Sequence, residues 1–207
     1  MKHYRPTTDS RRHMSGLDFR KIVTTSSPEK SLTSGFKRGV GRNNRGRITT
    51  RHKGGGHKRL YREIDFSYDK HDIPFTIKTI EYDPNRSGFI GLAVYQDGEK
   101  RYVLLHNDAR VGDRYVVSEN APLVVGNRLP LGNISVGTLV YNVELKHQGG
   151  AKIARSGGNY VEVLAKDGSF VDLKMPSSEV RKVPANAWAS IGEVSNKENR
   201  LVTIGKA

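Results

Sequence analysis

Residues 41–62 read GRNNRGRITTRHKGGGHKRLYR. They gather Arg42, Arg45, Arg47, Arg51, Lys53, Lys58, Arg59 and Arg62, with His52 and His57, around the triplet Gly54, Gly55 and Gly56, and include no acidic residue. Guanidinium forks match phosphate oxygens two at a time, amides such as those of Asn43 and Asn44 read sugar or base edges, and glycines let a backbone approach a groove closely. Together these residue types supply the chemistry of RNA binding.

Other chemistries need more than the stretch provides. GGGHK resembles a phosphate loop, but that loop requires GxxxxGK[ST] between a strand and a helix, and here Lys58 is followed by Arg59. His52 and His57 are five apart, yet no Cys and no clustered carboxylate completes a metal shell. Neither GxSxG nor HExxH occurs, so no catalytic residue, metal or cofactor is expected.

The charge distribution shows what must carry these cations. Residues 1–29 hold 6 Lys/Arg and 3 Asp/Glu, residues 30–62 hold 11 and none, and residues 63–207 hold 18 of each. The whole net charge of +14 thus precedes a neutral body. Like charges at such density repel unless a polyanion neutralises them, which predicts a basic extended arm over residues 1–62, ordered mainly when bound.

The body reads as all-β. Short runs rich in Val, Ile, Tyr and Phe recur between turn signals: FTIKTIEY, GFIGLAVYQ, KRYVLL and DRYVVS, then GTLVYNVEL, AKIARS, NYVEVLA, SFVDLKM, SEVRKV and WASIGEV. Asp97-Gly98 and Asp167-Gly168 predict two-residue hairpin turns. In the second hairpin Val161, Val163 and Ala165 share a face with Val171, Leu173 and Met175, an alternation that Leu164 and Phe170 break. The stretch SENAPLVVGNRLPLGNISVG, residues 118–137, is the expected boundary, and each flanking strand cluster is the right size for a small closed barrel. Trp188 is expected to anchor a core or the seam between domains. With no Cys and no apolar run near the roughly 20 residues of a membrane span, a soluble intracellular protein with no membrane partner is expected.

Several long motifs carry a family resemblance: GRNNRGRITTRHKGGGHKRLYREIDF, IEYDPNRSGFIGLAVYQDGEKRYVLL, GNRLPLGNISVGTLVYNVEL, ARSGG, MPSSEVRKV and IGEVSNKE, in this order. The chain resembles, from about Tyr4 to Ala207, the ribosomal protein L-two family of the large ribosomal subunit in its bacterial form. The resemblance implies an oligonucleotide-binding fold barrel over residues 63–122 and a Src-homology-3-like barrel over 123–200, followed by the start of a C-terminal extension at 201–207. It also implies that Lys37, Arg38 and the rest of 37–62 enter large-subunit ribosomal RNA near the peptidyl-transferase centre and the subunit interface. Neighbouring ribosomal proteins and the small subunit would be the other partners. The turns DPNRSG and DGEKRY are expected to add Arg86, Lys100 and Arg101, and IARSGG to add Arg155 and Ser156. The family continues beyond the GKA at Ala207 with a basic, Gly-rich tail containing HPHGGG, so no His of this chain is expected to take the role suspected for that tail. Ribosomes of a bacterial cytoplasm, or of an organelle, are the expected location. The alternative reading from another class is a single-stranded nucleic-acid-binding or translation-factor-like protein, which would stack bases on exposed aromatics along a basic sheet face.

Overall fold

A computed structural model describes residues 1–36 and 39–205. Its strands are β1 Lys2–His3, β2 Ser15–Gly16, β3 Thr33–Gly35, β4 Leu60–Arg62, β5 Phe75–Glu81, β6 Ile90–Tyr95, β7 Lys100–Leu104, β8 Arg114–Tyr115, β9 Arg128–Pro130, β10 Leu139–Tyr141, β11 Val143–Glu144, β12 Ala151–Ile153, β13 Val161–Asp167, β14 Phe170–Lys174, β15 Val180–Pro184 and β16 Trp188–Ile191. Two single-turn helices, α1 Asp9–Arg12 and α2 Phe19–Ile22, precede β2 and β3. No helix among the described residues is long and apolar enough to cross a membrane.

The strands sort into two main sheets, ordered β7-β6-β5-β8 and β15-β14-β13-β10-β16-β9. Side-chain alternation places Phe75, Ile77, Ala93, Tyr95, Val103 and Tyr115 in the first core, and Val140, Val161, Val163, Val171, Leu173 and Val183 in the second. Trp188 lies on β16 of the second sheet but packs into the first core, which makes it the inter-domain anchor expected of it. Further seam contacts come from the chain after β16: Ser195 N donates to Leu105 O at 2.9 Å, and Ser195 Oγ accepts from Phe89 N at 2.9 Å.

Three local expectations are corrected. The first hairpin closes through three residues: Gly98 N donates to Tyr95 O, Tyr95 N to Glu99 O, and only Gly98 has positive φ (87°). This is a turn followed by a glycine bulge, rather than a two-residue turn. In the second hairpin Asp167 pairs with Phe170, so the turn residues are Gly168 and Ser169, one position later than expected. Ala165 does not share the buried face. A bulge between Val163 and Ala165 absorbs one residue, leaving Leu164 and Ala165 both exposed. Strand β9 is an addition, formed within the Gly/Pro-rich boundary stretch and paired with β16.

The first 62 residues divide into two parts. Residues 1–29 form a strap along the body. Thr24 Oγ1 accepts from Ile80 N at 2.9 Å, Tyr102 Oη accepts from Glu29 N at 2.7 Å, and Ser15 Oγ accepts from Thr203 N at 3.0 Å. The rest forms a loop whose two ends pair with each other, and it carries the candidate site.

Candidate nucleic-acid interface

A short antiparallel ladder, Thr33↔Arg62, Ser34↔Tyr61 and Gly35↔Leu60, closes the basic loop at its root. Lys37 and Arg38 lie outside the described residues. Beyond them the tip folds back on itself. Arg42 bridges Ile48, Asn43 N donates to Arg47 O at 2.9 Å, and Asn43 Oδ1 accepts from the backbone N–H groups of Arg45 and Arg47 at 3.0 and 2.9 Å. One expected reader of base edges, the Asn43 carbonyl, is therefore committed to shaping the turn. Gly41 has φ +71°, and a Cβ there would sit 2.2 Å from Thr50 O, so the crossing of the two tip strands requires glycine.

The second half of the loop turns through positive φ at His52 (60°), Gly54 (125°) and Gly55 (65°). A Cβ on Gly55 would meet no protein atom within 4 Å. The glycine thus serves the backbone and leaves that side open to a ligand. Arg42, Asn44, Arg45, Arg47, Arg51, His52, Lys53, Gly56, His57 and Lys58 are all exposed to solvent. Arg42 Nη1 donates to Gly46 O at 2.9 Å, and His57 Nδ1 lies 2.8 Å from Lys58 O. Among the described residues, no ion pair joins any cation of residues 39–59 to a carboxylate, so the loop's charge is uncompensated within the chain.

At the root the cations behave differently. Arg59 Nη1 donates to Pro84 O at 2.6 Å. Arg62 is buried, with Nη1 3.6 Å from Asp83 Oδ1, while Asp83 Oδ2 accepts from Arg86 Nε at 2.6 Å. Arg62, also expected at the RNA, is pointed inward by the ladder, where it fastens the loop to the turn after β5. Arg86 is half-buried and also lies over the Phe66 ring, 5.5 Å from its centroid. From the second barrel Arg155 reaches the same ring at 4.7 Å. Phe66 thus draws one arginine from each domain to the mouth of the seam. Ser156 is exposed there. The glycines after it serve the chain's own backbone: a Cβ on Gly157 would sit 3.0 Å from Ser87 O and Asn196 O.

The hairpin-end residues are also partly committed. Arg101 donates to Asp65 Oδ2 at 2.8 Å, to Glu99 Oε1 at 2.6 Å and to Asp69, and its hydrogen bond to Asp69 comes first among the causes that raise its pKa. Lys100 Nζ donates to Glu29 Oε2 at 3.1 Å. The structure therefore separates Lys100 and Arg101, which neutralise local carboxylates, from the described cations of residues 39–59, which do not.

Residues 29–118 match the family model described as Ribosomal Proteins L2, RNA binding N-terminal domain, and residues 124–207 match Ribosomal Proteins L2, C-terminal domain. The chain belongs to the ribosomal protein L2 family. The two strand clusters are accordingly the oligonucleotide-binding and SH3-like barrels of L2 proteins, and the basic loop lies inside the RNA-binding domain. It is a ribosomal protein, and ribosomal RNA is its partner.

The residues that hold this L2 chain's two domains in register carry no signal in the sequence. Arg128, on β9, is buried and donates to Asn142 O at 2.7 Å and to Glu144 Oε1 at 2.8 Å, while its guanidinium covers the Tyr68 ring at 4.5 Å. Asn142 Nδ2 in turn donates to Tyr68 Oη at 3.0 Å. Tyr68 belongs to the first domain, and Arg128, Asn142 and Glu144 to the sheets that follow. A lone arginine in a Gly/Pro-rich stretch offers no pattern that marks it as a buried support.

Proposed function

We propose that this protein is a structural, non-catalytic constituent of the large ribosomal subunit, in which the basic loop enters large-subunit ribosomal RNA. The two barrels hold the loop's root and brace RNA near the peptidyl-transferase centre and the subunit interface. One observation carries this reading: a loop whose described cations over residues 39–59 have no carboxylate counter-ion is fastened at its root, by Arg62 and Asp83, to an oligonucleotide-binding barrel. A polyanion is the natural complement, because each phosphate that an arginine meets releases condensed counterions. Charge supplies affinity, while groove shape and 2′-hydroxyl contacts fix the position. The placement near the catalytic centre and the small subunit, and the bacterial type, come from the family resemblance.

On this reading the RNA-facing set is Arg42, Asn44, Arg45, Arg47, Arg51, His52, Lys53, Lys58 and Arg59, continued by Arg86, Arg155 and Ser156 at the mouth of the seam. Arg62, Lys100 and Arg101 act as internal supports. The test is chemical footprinting of large-subunit RNA with the purified chain, together with sedimentation after a high-salt wash. Protection confined to large-subunit RNA and retention through the wash are expected. Release with loosely bound factors would instead favour a mobile single-strand clamp.

A further inference from the structure

We infer that Phe36 and Tyr61 form a stacking platform for an unpaired RNA base at the root of the basic loop; this inference rests on the RNA-binding reading above. The ladder places Ser34 opposite Tyr61, and strand alternation puts Phe36 on the same face as Ser34, diagonal to Tyr61. The two rings lie 5.9 Å apart between centroids and only 32° from parallel, with Phe36 43 % and Tyr61 38 % exposed. The opposite face carries Arg62, which is buried against Asp83 and fastens the stem to the first barrel.

A second exposed aromatic pair lacks this character. Phe19 and Tyr82 meet at 4.9 Å, but Phe19 also packs edge-on against the buried Phe89, so that pair belongs to the strap's docking on the barrel. Among the described residues, Phe36 and Tyr61 have no aromatic neighbour except each other. They also stand on the one segment, residues 30–62, that holds 11 basic residues and no acid. Two exposed rings at the base of a loop whose described cations over residues 39–59 meet no carboxylate match a base carried on its phosphates. Every base has a π face, and stacking on an aromatic is sequence-tolerant. A protein partner would have to cover the rings while neutralising the same charge, so RNA is the occupant that satisfies both requirements.

The test compares the full chain with the Phe36→Leu/Tyr61→Leu double variant in binding to large-subunit RNA across a salt series. Leucine keeps apolar bulk but has no ring face. Affinity is expected to fall about tenfold or more, with the slope of log K against log salt unchanged because no charge is removed. Thermal melting should match the parent, since both positions are exposed. A Phe36→Trp variant should retain affinity and add an exposed indole, in contrast to the buried Trp188, whose emission is quenched by single-stranded RNA and not by duplex. Wild-type affinity in the double variant, or an indole that RNA leaves unchanged, would overturn the platform while leaving the arginine-based reading intact. Failure of the parent chain itself to bind would overturn both.

Discussion

Arg128 and Glu144 form an ion pair, 2.8 Å between Nη2 and Oε1, with both side chains 2 % exposed. It lies where the two barrels meet, beneath the ring of Tyr68. A charge so far from water survives only with its partners in place, so removing one partner is worse than removing both. Arg128→Ala is therefore expected to lower stability by about 3–5 kcal/mol, read as a shift of the urea midpoint. An Arg128→Met/Glu144→Leu double variant should recover most of that loss. A double variant as unstable as the single one would show that the pair's geometry, rather than its charge balance, holds the seam.

Burial pushes the Tyr68 hydroxyl up from its ordinary value of 10.0 to about 12, against the opposing effect of the nearby Arg128 charge. The folded state thus resists losing this proton more than the unfolded chain does. The resulting stability is fully present below pH 10 and is lost as pH rises from about 10 to 12. Alkaline unfolding should soften in Tyr68→Phe, which has no proton to lose, although that variant also leaves Asn142 Nδ2 without its acceptor. The change in slope with pH, rather than absolute stability, is the quantity to measure.

On the acid side the sensitive group is His106, whose pKa burial lowers while Asp113 and Asp108 oppose the shift. Its Nε2 lies 2.7 Å from Tyr115 Oη, and Tyr115 donates to Asp113 Oδ2 at 2.8 Å. Because the folded value lies below the ordinary 6.5, the stability this imidazole contributes is present above that pH and is lost as pH falls below it. His106 also bridges Val194 across the seam. Hydrogen exchange of residues 193–195 should accelerate below about pH 6.5 in the parent chain, and that added acid sensitivity should vanish in His106→Gln.

Charge and backbone shape should separate in the basic loop. Replacing Arg42, Arg47 and Arg51 together by Ala is expected to weaken RNA binding and flatten its salt dependence by roughly 0.7–0.9 log units of slope for each phosphate left without its cation. Gly55→Val removes no charge but forces a branched side chain into φ +65°. It should weaken binding with the slope nearly unchanged. Equal effects on slope from both changes would refute the division of labour.

Gly126 has φ +98°, and a Cβ there would sit 2.2 Å from Cε1 of Tyr115. Gly126→Ala should destabilise by about 1–3 kcal/mol through overpacking and backbone strain, measured by denaturant titration. Gly168→Ala, at a turn with open space around it, should cost less.

What the sequence makes legible follows from the range of each interaction. Runs such as FTIKTIEY and WASIGEV read as strands because alternation and β-branching act locally, and the acid-free stretch marks the basic loop because net charge needs no fold to be read. The bulge at Leu164 does not show, since one extra residue shifts a face without altering composition, and Asp-Gly marks each turn without fixing its length. The partners of Arg101 do not show in the sequence, because Asp65 and Asp69, which engage it, are more than thirty residues away in the chain. The inward position of Arg62 is hidden for a related reason: only the register Thr33↔Arg62 turns it toward the barrel.

The strap has a consequence for the order of events in synthesis. Ser15 bonds to Leu201 and Thr203, 186 and 188 positions later. A ribosome releases a chain from its N-terminus, so although β1 and β2 can pair with each other early, the strap's bonds to Leu201 and Thr203 must wait until almost all of the described chain has emerged. The loop's ladder from Thr33 to Arg62 and the first barrel need no residue beyond about 117, apart from Trp188 and the seam. The positively charged loop is therefore complete, and able to find a polyanion, well before the strap can close behind it. A ribosomal protein built in this order could take hold of its RNA while its own first and last segments have yet to meet.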